Sequence, residues 1–271
     1  MSSKSSTSVI LAVLKGEVPT HTPIWIMRQA GRYLPEYREL RAKVGSFTEL
    51  YSNPELASKV TLMPMKRFPL DAAIIFSDIL IALDAISIEV SFSSSGESPP
   101  TITGPRVDKP IRTQQDLNNL PKNCDLEKYD FLVQNIKICK SELKDQALIG
   151  FVGSPWTLAA YAVEGGNAKN FATLRGMMYS QPQLLQGLLQ RLAEEVTQLA
   201  ILQIDSGADI IQIFDSWAGL LGPQHYYEFS YKYMAKIIAD IRSQRPNTPL
   251  IIFAKSTPFS PLQMLECKPD G

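Results

Sequence analysis

Four polar positions stand out because each follows an apolar run that ends abruptly. Arg28 and Arg32 bracket Gln29-Ala30-Gly31 directly after Ile24–Met27, and Arg38 and Arg41 follow on a predicted helix. Two guanidinium groups on either side of a glycine suit an anion. The planar fork of arginine holds a carboxylate through two parallel hydrogen bonds. No glycine-rich phosphate fingerprint accompanies them, so carboxylates are at least as good a guess as phosphates. The bland alternative is a salt-bridged surface loop. Asp78 ends the apolar strand Ile74-Ile75-Phe76-Ser77-Asp78. An ionised carboxylate only accepts hydrogen bonds, so it suits a ligand rich in N–H donors; its bland reading is a helix cap. Tyr161 and Ser216 each lie just beyond a predicted strand. Ser216 lacks a G-x-S-x-G elbow and has no evident histidine base, which excludes a hydrolase nucleophile. Asp215 stays ambiguous, as a pocket carboxylate or a structural one. His21 reads as a loop residue and His225 as a surface residue at a helix start.

These positions need strands to carry them. Continuous apolar runs at Ala72–Phe76, Ala147–Val152, Asp209–Phe214 and Leu250–Ala254 predict strands buried on both faces. Ile24–Met27 predicts a fifth, short one. Between them, helices are predicted from Pro54 after Asn53, over Tyr129–Lys144, along Leu184–Leu199 with Ser206-Gly207 as the cap, and over Tyr227–Arg242. Ile86–Ser95 alternates loosely, as one strand of a small hairpin, and Gly96–Val107 reads as a loop. Strands alternating with helices, each strand ending in polar residues, predict a parallel α/β protein with its site at the carboxyl ends of the strands. A (β/α)8 barrel is the first choice. A doubly wound sheet is the second, without its G-x-G-x-x-G fingerprint.

Composition bounds the partners. The 271 residues are 45% hydrophobic, enough for one full core. Lysine plus arginine equals aspartate plus glutamate at 27 each, which argues against nucleic acid. Cys124, Cys139 and Cys267 are scattered without metal-ligand spacing, which suits a reducing cytoplasm and no metal. No apolar run approaches the ~18 residues of a membrane helix. Residues 1–8 are polar and expected to fray.

Met27-Arg28-Gln29-Ala30-Gly31-Arg32-Tyr33-Leu34-Pro35-Glu36-Tyr37 resembles the N-terminal signature of the uroporphyrinogen decarboxylase family. Phe68–Leu80, Gly150–Leu158 and Ile213–Gly219 match the same family in the same order. The resemblance implies a (β/α)8 barrel that takes uroporphyrinogen III, with its eight carboxylates, to coproporphyrinogen III by loss of four acetate carboxyls, without a cofactor. It implies that Arg28, Gln29, Ala30, Gly31 and Arg32 form the carboxylate loop. Asp78 would face the pyrrole N–H groups and stabilise a developing cation, Tyr161 and Ser216 would hydrogen-bond the substrate, and Phe47 and Phe214 would form apolar walls. Asp78 and Arg28 are the expected catalytic pair, the proton coming from an arginine or from a water it holds. The full-length family is expected to be a cytoplasmic homodimer.

Counting strands gives about five where a barrel needs eight. A glycine-flanked histidine that the family carries near its C-terminus has no counterpart. Residues 1–271 are therefore expected to form a single incomplete barrel lacking about three βα units. Two alternatives remain open: a non-catalytic paralogue that binds porphyrinogen or pairs with another chain, and a corrinoid- or zinc-dependent methyltransferase of the same superfamily. The zinc version would need clustered His and Cys ligands.

Overall fold

A computed structural model describes residues 8–94, 102–166 and 170–271. The expected fraying of residues 1–8 therefore falls almost wholly outside the described residues. Four parallel strands form the sheet: β1 (Ala72–Ile74), then, after a hairpin of β2 (Val90–Ser94) and β3 (Ile102–Val107), β4 (Ala147–Gly153), β5 (Ile210–Asp215) and β6 (Leu250–Ala254). Their spatial order is β1-β4-β5-β6, so each strand pairs with the next parallel one in the chain.

The two faces of this sheet differ, and the difference identifies the architecture. Odd positions of β1 and β5, with even ones of β4 and β6, pack under the long helices: Ala73 and Ile75, Leu148 and Val152, Ile211 and Ile213, Leu250 and Ile252. Those helices are Pro54–Arg67, Asp130–Glu142, Pro155–Glu164, Pro182–Ser206 and Lys232–Gln244. The opposite parity forms a separate cluster of Ala72, Ile74, Ala147, Ile149, Phe151, Ile210, Phe214, Ile251 and Phe253. Among the described residues, this second face meets the short helix Val9–Leu14, the loop residues Trp25, Met27 and Ile79, and the backbone at Gly271 beside Ile251. Helices on one face and a private apolar layer on the other describe the wall and lumen of a barrel. A doubly wound sheet would carry helices on both faces. The chain is an α/β fold, an incomplete (β/α)8 barrel.

Two sequence expectations need correction. Ile24–Met27 forms no strand, and Met27 already lies in the turn that leads to Arg28. The acceptors that a neighbouring strand would supply are replaced by side chains: the Asp71 carboxylate accepts from the Ile24 N–H at 2.7 Å, and Gln29 Oε1 accepts from the Ile26 N–H at 3.1 Å. The sheet thus has four described strands rather than five. Conversely, the end of the predicted loop Gly96–Val107 is the strand β3, antiparallel to β2 with a register shift between Phe92 and Ser94. Gly104 there takes φ +84°, and Pro105 costs little because the ribbon is only two strands wide. Residues 96–101 of that stretch lie outside the described residues.

The other elements follow their local signals. Asn53 Oδ1 caps Pro54–Arg67 by accepting from the N–H groups of Glu55 and Leu56. The helix after β5 differs from expectation in its first turn. Residues Tyr227–Tyr231 wind as a π-helix before the regular Lys232–Gln244. Among the described residues no helix is long and apolar enough to cross a membrane.

Candidate active site

The carboxyl ends of the strands gather most of the residues singled out from sequence. Beneath them is an aromatic floor. Phe151, Phe214 and Phe253 come from three adjacent strands and meet edge to face, with ring centroids 5.5 and 5.8 Å apart. Phe214 is thus a lumen residue, as an apolar wall requires. Gly153 lies in register with it. A Cβ on Gly153 would stand 3.2 Å from Ile79 Cβ and 2.9 Å from Leu158, so the absent side chain lets the chain after β1 cross over β4.

That crossing segment carries Asp78. One of its oxygens, Oδ1, accepts the Leu80 N–H at 2.8 Å in the turn that precedes the short helix Ile81–Asp84. The cap of that helix is Leu80, which makes no side-chain cap bond, so Asp78 forms a local turn ahead of the helix rather than capping it. The side chain is half-buried, and burial pushes its carboxyl up to about 6; the Leu80 N–H opposes this and the charge of Asp84 adds to it. At neutral pH the group is mostly an anion, held in a place that disfavours anions.

Tyr161 links Asp78 to the arginine loop. Burial raises its hydroxyl, the Trp217 indole beside it lowers it, and then Asp78 raises and Arg28 lowers it. The charges of Asp78 and Arg28 thus reach the same half-buried phenol. The Tyr161 ring lies 6.4 Å from that of Trp217, which follows Ser216 in the turn after β5. Arg28, Asp78, Tyr161 and the Ser216 turn are brought together.

The arginine loop is rigid for a reason its sequence did not show. Gln29, only 1% exposed, spends its side chain inward, donating to the Ala72 carbonyl at 3.1 Å and accepting from Ile26. Its own carbonyl accepts the Tyr33 hydroxyl, and its N–H donates to Ile26. Gln29 therefore bolts the loop to β1. Arg38 staples the far side by donating to the carbonyls of Arg32 and Tyr33. Gly31, read from sequence as the flexible point, has no positive φ and has room for a Cβ. Arg28 and Arg32 are exposed and, among the described residues, join no ion pair. Burial raises the Tyr37 hydroxyl, opposed by Arg41 and then Arg32, so these two guanidinium groups share one field.

Phe47 stands further out. It packs edge to face on Tyr51, Phe76 and Phe92. Tyr51 was not singled out from sequence, yet it borders Asp78. Its hydroxyl is pushed up to about 12, first by burial and then by the charges of Asp78 and Asp84.

Asp215 proves structural. It is wholly buried on the helix-facing side of β5. Its carboxylate accepts from Ser154 Oγ (2.8 Å), Thr157 Oγ1 (2.9 Å) and Ser230 Oγ (2.6 Å). Burial raises its carboxyl, and the hydroxyls of Ser230, Ser154, Thr157 and Tyr226 oppose the rise. Ser154 also caps Pro155–Glu164, and the π-turn delivers Ser230. The Trp156 indole donates to the Trp217 carbonyl at 3.0 Å. Two of the sequence motifs are thus halves of one lock. Among the described residues no three His, Cys, Asp or Glu side chains converge as a metal site would require.

This geometry has relatives. Residues 5–271 match the family profile Uroporphyrinogen decarboxylase (URO-D). The chain belongs to the uroporphyrinogen decarboxylase family. Uroporphyrinogen decarboxylase of Acinetobacter baumannii is 47% identical over 258 residues, covering 94% of this chain and 70% of that protein. The Tolumonas auensis enzyme of the same name is 48% identical over 237 residues, 86% of this chain and 65% of the relative. A methyltransferase from Methanosarcina mazei shares the fold with a TM-score of 0.74, over 98% of this chain and 75% of its own, at 21% identity. That identity speaks to fold alone. The uroporphyrinogen decarboxylase family therefore accounts for the four matched segments, whereas the roles of single residues rest on the geometry above.

Proposed function

We propose that this chain is a carboxy-lyase that converts uroporphyrinogen III to coproporphyrinogen III by removing CO2 from its four acetate side chains. The observation that carries the reading is one half-buried carboxylate, Asp78, at a lumen mouth whose rim holds two arginines in no ion pair among the described residues. The family membership supplies the substrate.

The chemistry needs an electron sink and a proton, and the substrate contains the sink. Protonation of a pyrrole ring carbon gives a cationic iminium conjugated to the acetate CH2. The bond from that CH2 to the carboxylate then breaks, CO2 leaves, and the electron pair flows into the ring and neutralises the iminium. Protonation of the exocyclic carbon gives a methyl group, and loss of the proton first added to the ring carbon restores the aromatic pyrrole, so one proton is consumed for each CO2 released. Asp78 stabilises the cation as a preorganised anion, an interaction strongest when the charge has developed. Its anionic oxygens also accept pyrrole N–H bonds. Arg28 and Arg32 orient carboxylates, and Arg28, or a water it holds, delivers the proton. Tyr161 and Ser216 donate hydrogen bonds, and Phe214 excludes water from below. Phe47 walls the Asp78 side, and Ala30 and Gly31 let the ligand approach the loop backbone. No step in this scheme calls on a cofactor. The whole protein would act as a cytoplasmic homodimer, the state its family resemblance implies.

The test is an anaerobic incubation with uroporphyrinogen III, the products separated by carboxylate count. Stepwise loss of one to four carboxyls is expected. Tight porphyrinogen binding with no CO2 release would overturn the enzyme reading in favour of a binding protein.

A further inference from the structure

The lumen-facing series continues past the aromatic floor. Ile251 and Phe253 face the lumen on β6, and Ile210 and Phe214 on β5. In register, Phe214 pairs with Phe253 and Asp215 with Ala254, so the next pair is Ser216 with Lys255. Lys255 still follows the sheet, because its N–H donates to the Asp215 carbonyl at 3.1 Å. Its own carbonyl accepts the Gly219 N–H at 3.1 Å, which ties it to the turn that carries Ser216. The chain is fixed immediately afterwards. Ser256 takes φ +54°, and a Cβ on Gly219 would stand 2.8 Å from Ser256 Cβ. A non-glycine residue at positive φ is strained backbone of the kind that clusters at ligand sites. Lys255 is exposed, and among the described residues its ammonium makes no ion pair or hydrogen bond. Asp215, the acid on the adjacent strand whose carbonyl accepts the Lys255 N–H, turns its carboxylate to the helix side, where hydroxyls satisfy it.

We propose that Lys255 is a further substrate-binding residue, its ammonium taking a carboxylate beside Ser216 on the rim opposite Arg28 and Arg32. The proposal rests on the decarboxylase reading. An octacarboxylate carries its charges all round its periphery, and the arginine loop is bolted to β1 at one end of the sheet. Lys255 ends β6, three strand spacings away, or roughly 14 Å at the usual interstrand distance. That is the scale of a tetrapyrrole with extended side chains. Lysine suits the place because a point charge on a flexible stem follows whichever side chain is presented as the ring turns between successive decarboxylations.

The experiment is a fluorescence titration with uroporphyrin, the air-stable octacarboxylate, against the parent chain, Lys255→Met, Lys255→Arg, Arg32→Ala and the double variant Arg32→Ala/Lys255→Met. Loss of one charged hydrogen bond predicts about tenfold weaker binding for Lys255→Met, and Lys255→Arg should stay within about threefold of the parent. In turnover the loss should fall on KM rather than kcat. The double variant should lose the product of the two single losses, because separated sites act independently. Parent-like binding by Lys255→Met, equal losses in the Met and Arg variants, or a double variant no weaker than Arg32→Ala would each overturn the proposal. A parent chain that does not bind uroporphyrin would instead sink the decarboxylase reading, and this proposal with it.

Discussion

Asp78 and Asp215 look alike in sequence, since each comes at the end of an apolar run. The fold gives them opposite work. Asp78 lies beyond β1 on a segment that crosses above the lumen, half-buried, with one backbone N–H on one oxygen. Asp215 ends β5 with the opposite pleat, buried under the helices with three hydroxyl donors. One carboxylate is left short of partners above the lumen face, and the other is saturated under the helices. Both have raised pKa values through burial, so the shift alone does not tell a functional acid from a structural one. What separates them is the count of donors and the face of the sheet.

The sharpest way to break that comparison is to exchange the expected losses. Asp215→Ala should cost about 3–5 kcal/mol of unfolding free energy, because it strands buried hydroxyls and opens a void. Denaturant titration checks this, and a cost below about 1 kcal/mol would remove the lock from the argument. Asp78→Asn keeps the size and one acceptor. It should lower kcat about 100-fold, the scale of one preorganised electrostatic group, while uroporphyrin affinity changes little. Turnover equal to the parent would leave Asp78 with only its local turn at Leu80.

A pH series separates the same two residues more finely. Asp78 must be ionised to act, so kcat/KM should fall as pH drops through about 6. That limb should vanish in Asp78→Asn. The stability effect has the opposite sense. A carboxyl raised in the folded state binds its proton more tightly there than in the unfolded chain. Its contribution is therefore most favourable below the unfolded value of about 4 and is lost as pH rises through about 6. Asp78→Asn should thus be at least as stable as the parent at pH 7, an advantage that disappears below pH 4 in thermal melts. The smallest effect belongs to the loop. Arg32→Lys should weaken uroporphyrin binding by about threefold to tenfold, since the charge stays and the two-pronged contact goes. Gln29→Ala should weaken it too, by loosening the bolt to β1, and a loop that keeps full affinity without Gln29 would contradict that role.

The sequence by itself determined much of this protein. Apolar runs ending in polar residues located four of the parallel strands, because a strand buried on both faces must be apolar throughout. Helix caps such as Asn53-Pro54 were legible because capping is a local interaction. The four family segments located the arginine loop and Asp78. Tertiary structure decided the rest. Whether Ile24–Met27 is a strand depended on Asp71, 47 residues away, supplying an acceptor. Whether Gln29 faces a ligand or bolts the loop depended on the Ala72 carbonyl. The roles of Asp215, Ser154, Thr157 and Ser230 depended on three elements meeting, one through a π-turn that no residue pattern marks. The physical reason is range. Backbone propensity and capping act within a few residues and are written in order along the chain, whereas the partner that satisfies or orphans a polar group comes from a distant element and is in place only once the elements have packed together.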